Sequence, residues 1–323
     1  MAKIQLEKSQ PKQPRRSTEH PSPWELGGLS VKELGKRVWT SMDTEHDDTF
    51  DRAAELGFWF FLAVFPGLVF LLTIFGFVTG SKPGLQQQLF SYIAQAMPPA
   101  ASQLIHKTIT ETTNHAGGWK LIFGILGALW SASSGVASLM TVLNFAYHVK
   151  EKRPYIKARL GVAVWLTLAL SALILAALAI VLFGGMATSW AASQGLGTFA
   201  YWAWKIVQYP LALAFVILAF AVLYYYAPDV EQQKWYWITP GSVIGVGLWI
   251  LASAGFRIYL HYGNTYSATY GSLATVIILM MWFYITALAF LVGAEINANI
   301  ENAAAEHGRA DAKLRGEKEA PAA

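Results

Sequence analysis

Cysteine is absent from all 323 residues, which removes disulfides, thiolate metal sites and cysteine nucleophiles while leaving the compartment open. Charge is scarce: 14% of residues are Asp, Glu, Lys or Arg, against about a quarter in an ordinary soluble domain. What charge there is crowds near the N-terminus, around Lys150 to Arg159, and after Glu295, and the runs between are nearly uncharged. Catalytic patterns are also missing. There is no HxHxDH or HExxH metal motif, no Gly-x-Ser-x-Gly elbow and no Walker loop, and the histidines are scattered. Metal or ATP hydrolysis of the soluble type is therefore disfavoured, no cofactor or metal is expected, and the chain does not read as an enzyme. Nor does any basic run with interleaved aromatics point to a specific nucleic-acid partner.

Apolar residues make up 54% of the chain and the mean hydropathy is +0.37, more than a soluble domain of this size carries, so a lipid bilayer is the expected solvent. Inside hydrocarbon each backbone polar group must be satisfied within its own segment, and about twenty apolar residues in a helix cross the core. On that rule the fold class is all-α integral membrane protein with six transmembrane helices, over residues 56–78, 119–143, 160–183, 206–227, 238–260 and 271–294. Residues 55–299 then form the membrane domain, 1–29 a disordered basic cytoplasmic tail, 30–54 an amphipathic juxtamembrane helix and linker, and 300–323 a cytoplasmic tail. The basic stretch from Met1 to Arg16 leads into Pro21 and Pro23 instead of an apolar core, so it does not read as a signal peptide.

Basic residues stay on the cytoplasmic side during insertion. Lys150, Lys152, Arg153, Lys157 and Arg159 crowd one connection, and Arg309, Lys313, Arg315 and Lys318 the C-terminal tail, which places both termini inside a bacterial plasma membrane. Ser30 and Glu33 have the spacing of a capping box, and Val31, Leu34 and Val38 recur at helical intervals beside Lys32, Lys36 and Arg37. This segment either lies on the anionic inner surface or packs on the rest of the protein. Two outer segments exceed what a connection needs. Residues 84–117 read as an extracytoplasmic helical hairpin, and residues 187–205 as a helix in the outer interface.

Gly, Ala and Ser are dense in the second and fifth spans, at Gly127, Ser131, Ser134, Gly135, Gly245, Ser253 and Gly255. Small residues let helix backbones approach closely, so these two helices are expected at the centre. Each follows a span with a proline, Pro66 or Pro210, a correspondence that fits either a 3+3 inverted repeat, as in transporters, or a plain six-helix bundle. Arg52, Glu55, Arg159 and Glu295 gather at the cytoplasmic boundary as a structural clamp of ion pairs or a gate. Arg257, with Tyr259, Tyr266 and Tyr270 nearby, stands near the outer face, where it either snorkels or binds an anionic headgroup. Asn144, Asn297 and Asn299 fall at inner helix ends, where caps are commoner than ligands.

The runs ELGFWFFLAVFPGLVFLLTIFG from Glu55, LWSASSGVASLMTVLNFAY from Leu129, YYYAPD from Tyr224, WITPGSVIGVGLWILASAGFRIYL from Trp237 and YSATYGSLATVIILMMWFYITALAFLVGAEINA from Tyr266 resemble the YihY/BrkB family of bacterial inner-membrane proteins, in the same order. The resemblance implies a multi-pass plasma-membrane protein. Members have carried the labels ribonuclease BN and virulence or serum-resistance factor, and one branch has been connected with lipopolysaccharide precursor export. The ribonuclease label finds no metal-binding His/Asp cluster here. Two readings remain: a transporter or export factor for an anionic amphipathic lipid or small metabolite, and a non-transporting scaffold. Membrane lipids are the expected partners, with envelope proteins as the scaffold's, and the oligomeric state is open.

Overall fold

A computed structural model describes residues 23–42, 49–79, 119–193, 197–230, 238–262, 273–308 and Ala312. Its regular elements are helical: a 3-10 turn Pro23–Gly28, α1 Val31–Met42, α2 Thr49–Thr79, α3 Trp119–Ala146, a π-helical segment Lys157–Ala163 that runs into α4 Val164–Ser193, then α5 Gly197–Tyr226, α6 Pro240–Tyr262 and α7 Leu273–Glu306. Among the described residues, five stretches are long and apolar enough to cross a membrane: Ile122–Ala146, Lys157–Ile180, Tyr201–Tyr226, Pro240–Leu260 and Val276–Glu306. This is a multi-pass membrane protein. The 31-residue α2 contains the segment expected as the first span and runs through Pro66 without ending, as α5 runs through Pro210. The 84–117 hairpin, Tyr266, Tyr270 and the outer parts of both tails lie outside the described residues.

Lipid tails are as apolar as leucine, so helices in a bilayer associate by close packing and hydrogen bonding rather than by escape from water. Close approach here runs through glycine. A Cβ on Gly241 of α6 would overlap the Gly293 carbonyl oxygen of α7, and one on Gly293 would overlap the Tyr224 hydroxyl and stand 2.6 Å from the Gly241 oxygen. A Cβ on Gly57 of α2 would lie 3.0 Å from the Tyr284 nitrogen of α7, and Gly135 of α3 sits over Ala63 of α2 in the same manner, at 2.7 Å. The helix at the centre is therefore α7, which packs on α6, α2, α3, α1 and the 3-10 turn. This corrects the expectation that the second and fifth spans, α3 and α6, form the centre. Those two share no substantial contact, because Gly241 and Gly245 of α6 face α7 and Gly135 of α3 faces α2.

The pairing also lacks the regularity of a repeat. A 3+3 arrangement would make α5 pack on α6 as extensively as α2 packs on α3, whereas the extensive partner of α6 is α7 and that of α5 is α4. The outer-interface helix expected over 187–205 is instead the ends of α4 and α5, which continue to Ser193 and from Gly197.

At the end where α3 and α7 finish and α6 begins, the bundle is thickened. Leu56, Leu143, Leu166, Leu291, Ala163, Ala294 and Ala298 form its main core. Leu34, Val38 and Met42 of α1 pack on Ile296 and Ile300 of α7 with Leu26 and Leu29. The capping box closes at the start of α1: Ser30 N–H donates to Glu33 Oε2 at 2.9 Å, and Glu33 N–H to Ser30 Oγ at 3.3 Å. Of the stretch expected as a disordered tail, Pro23–Gly28 is an ordered turn seated on α7. Gly27 makes this possible, with φ +65° and no Cβ to strike the Ile300 oxygen. The last span likewise outruns its expected end at residue 294 and stays helical to Glu306, because Ile300, Ala303 and Ala304 are buried against protein. Arg37 bonds Glu306 at 2.8 Å across this interface.

Candidate functional site

Polar groups collect at this thickened end, and the geometry sorts them into separate assemblies. The first ties the α3–α4 connection to the end of α5. Asn144 Nδ2 donates to Glu151 Oε2 at 2.8 Å while Asn144 Oδ1 accepts from Asp229 N–H at 2.6 Å. Arg153 grips Glu151 in a fork, Nε to Oε1 at 2.6 Å and Nη2 to Oε2 at 2.7 Å, and also donates to the Ala227 carbonyl at 2.8 Å. Asp229 accepts from Lys152 N–H at 2.9 Å. Burial pushes the Glu151 carboxyl up, but the hydrogen bonds and charge of Arg153 and the bond from Asn144 outweigh it and leave the group below the ordinary carboxylate value.

A second assembly starts α6. Thr239 and Ser242 cap each other's backbone N–H groups at 3.1 Å, with Pro240 at the first helical position. Asn297 of α7 completes the cap: its Oδ1 accepts from Gly241 N–H at 2.9 Å and its Nδ2 donates to Thr239 Oγ1 at 3.1 Å. A Thr-Pro-Gly-Ser start is a sequence-level sign of such a cap that hydropathy and charge patterning do not reveal.

The four residues expected as a clamp or gate do not form one cluster. Arg52 pairs with Glu55 at 2.8 Å within α2, both partly exposed, and its guanidinium lies 4.7 Å above the Phe145 ring of α3. Glu295 is buried to 1% exposure in α7 and accepts from Ser41 Oγ of α1 at 2.8 Å and Asn299 Nδ2 at 3.3 Å. Arg159 turns elsewhere. Its Nη1 donates to the Ser133 carbonyl at 3.0 Å, and its Nη2 to the Trp130 carbonyl at 3.1 Å and Ser134 Oγ at 2.5 Å. The guanidinium stacks 4.6 Å over the Trp130 ring. Residue pairing across three helices could not be read from the sequence, because charge type alone does not say that a guanidinium will choose helix carbonyls over a carboxylate.

Toward the other end of α6, Arg257 is exposed. Tyr259 beside it stacks with Phe256, ring centroids 6.2 Å apart. Of the small residues, Gly135 and Gly245 stand at close helix contacts, Ser134 bonds Arg159, Ser131 and Ser253 are half-buried, and a Cβ on Gly127 or Gly255 would meet open space. Gly127 and Gly255 therefore pack on no helix among the described residues, since both lie on exposed faces. Among the described residues no three His, Asp or Glu side chains converge to hold a metal.

A family model described as Virulence factor BrkB matches residues 40–317. Similar proteins include the ribonuclease-like protein YfkH of Bacillus subtilis (strain 168), 34% identical over 76% of this chain and 88% of its own length. Two others carry the name UPF0761 membrane protein. The one from Alteromonas mediterranea is 27% identical over 69% of this chain and 74% of its own, and the one from Vibrio atlanticus (strain LGP32) 28% identical over 78% of each. No solved structure matches the chain.

Proposed function

The chain belongs to the BrkB virulence-factor family, and from that premise we propose a six-span bacterial inner-membrane protein, both termini cytoplasmic, that transports or exports an anionic amphipathic lipid or small metabolite. The sixth span in this reading is α2, added to the five long apolar stretches. The orientation rests on Lys150, Lys152, Arg153, Lys157 and Arg159 at one end of the bundle.

Arg257 is the observation that carries the transport reading. It is exposed on α6 among Leu251, Ile258 and Tyr259, which are 72%, 59% and 43% exposed. A cation on the apolar face of a spanning helix is costly unless it reaches the interface or meets an anion, and its planar fork of donors matches a phosphate headgroup. No ATPase motif is present, so movement would follow a gradient, a partner or downhill scrambling. Liposomes containing the purified protein and labelled phosphatidylglycerol test this. Flux above protein-free vesicles, reduced by Arg257→Gln, is expected, and unchanged flux with and without an ion gradient refutes it.

The scaffold reading draws on a different observation: the core among α2, α3, α4, α5 and α7 is filled by apolar side chains such as Leu56, Leu143, Leu166 and Phe290. It requires no flux from a correctly folded protein, so the same vesicles decide between the two. A ribonuclease reading, suggested by the Bacillus relative's name, finds no metal-holding cluster of His, Asp or Glu among the described residues.

A further inference from the structure

Arg159 holds a full positive charge against neutral acceptors only. The residue is 9% exposed, its terminal nitrogens go to two main-chain carbonyls and one hydroxyl, and its Nε is buried without any hydrogen-bond partner. No carboxylate pairs with it among the described residues, and Glu151 and Glu55 pair with Arg153 and Arg52. Guanidinium does not deprotonate, so it cannot relieve the cost of burial as a lysine would, and the usual remedy is an anion.

The position of the charge suggests where that anion comes from. Along α3 the large exposed apolar side chains are Ile122, Phe123, Leu126 and Trp130, and none follows between residue 131 and Ala146. Trp130 is thus the point at which α3 passes from the bundle's surface into its core, and the residue is 46% exposed while its ring stacks on the guanidinium. Leu160, next to Arg159, is 55% exposed, and Leu126 54%. The cation therefore sits just under a surface seam with apolar ground around it, the environment of a headgroup at the edge of acyl chains. The helix itself is irregular there. Arg159 lies in the π-helical segment, where Val164 N–H reaches back to the Arg159 carbonyl, and π turns re-aim side chains at functional positions.

We propose that the seam between α3 and the π-helical start of α4 binds a phosphate group of net negative charge, that of an anionic phospholipid headgroup or of free phosphate, through Arg159, Ser134 and the edge of Trp130. The inference shares with the proposed function the class of ligand, an anionic amphipath, but not its movement. Loss of flux with intact binding would count against transport alone.

The test uses the full-length protein in neutral detergent, stripped of lipid and titrated with phosphatidylglycerol, phosphatidylcholine or inorganic phosphate. Thermal unfolding and native mass spectrometry are the readouts. Phosphatidylglycerol should raise Tm by several degrees and be retained as bound lipid, and phosphatidylcholine should do neither. Arg159→Gln should weaken retention about tenfold or more, the scale of one charge-assisted contact, with Arg159→Lys intermediate. If Arg159→Gln does not fold, Ser134→Ala and Trp130→Leu carry the test, each expected to weaken retention with the charge left in place. Stabilisation by inorganic phosphate as large as that by phosphatidylglycerol assigns the site to free phosphate. Equal stabilisation by both phospholipids, or an undiminished phosphatidylglycerol response in Arg159→Gln or in both substitute variants, overturns the proposal.

Discussion

Replacing Gly293 by alanine tests the central packing argument most sharply. The added methyl would overlap the Tyr224 hydroxyl of α5, stand 2.6 Å from the Gly241 carbonyl oxygen and 3.2 Å from Gly245 Cα of α6. None of these can yield alone, because the Tyr224 hydroxyl donates to the Phe290 carbonyl at 2.7 Å inside the core and the other two atoms are backbone. Helix α6 must therefore move away from α7, or the Tyr224 hydrogen bond must break. Overpacking of this kind costs about 1–3 kcal/mol, and a buried donor left unpaired about 1–3 kcal/mol more. Alanine's better helix propensity returns about 1 kcal/mol. With both penalties the net loss is about 1–5 kcal/mol, which at the sensitivity of larger chains lowers Tm by about 2–20 °C. Fluorescence-detected size-exclusion after heating the detergent-solubilised protein measures it. Gly127→Ala and Gly255→Ala, which meet open space, should leave Tm unchanged or slightly raised. Tyr224→Phe removes the nearest obstacle, so Gly293→Ala should cost less in that background, by about 1 kcal/mol or more. Equal Tm for wild type and Gly293→Ala, or equal losses at Gly293 and Gly127, would refute the close-approach argument.

The Glu151 carboxyl, held below its ordinary value, contributes stability that is fully present above pH 4.5 and lost as pH falls below it through the folded-state value. Glu151→Gln should flatten that acid limb of a Tm-against-pH profile, and an unchanged limb would show that the Arg153 fork is not what sets it. Gly27→Ala should free the Pro23–Gly28 turn from α7, since the new Cβ strikes the Ile300 oxygen at a φ of +65°. Faster tryptic cleavage near Lys32 and Arg37 in a normally inserted protein is the expected readout, and wild-type cleavage rates would contradict it. Ser30→Ala opens the capping box of α1 and should cost about 1 kcal/mol locally. Hydrogen exchange should quicken in the first turn of α1 while α7 stays protected, and uniform protection would argue that packing alone holds the helix.

Length and hydropathy located the spanning helices because both are properties of a single segment: the bilayer requires each helix to satisfy its own backbone. The amphipathic start of α1 was legible for the same reason, since a capping box is local. Which helix lies at the centre was not. Glycine content pointed equally to α3 and α6, and only the contacts of Gly241, Gly245 and Gly57 reveal α7 as their common partner. The charged residues at the thickened end of the bundle behave likewise. Sequence placed Arg52, Glu55, Arg159 and Glu295 at one level, yet charge type alone does not say whether carbonyls, an indole face or a carboxylate will come within reach of each guanidinium. The fold gave Arg52 to Glu55, Glu295 to Ser41 and Asn299, and Arg159 to the opened face of α3. Segment-level chemistry, the solvent and the positive end, was thus determined by the chain alone. Partner choice among the groups available was decided by tertiary structure, because it depends on distances between segments that no local pattern encodes.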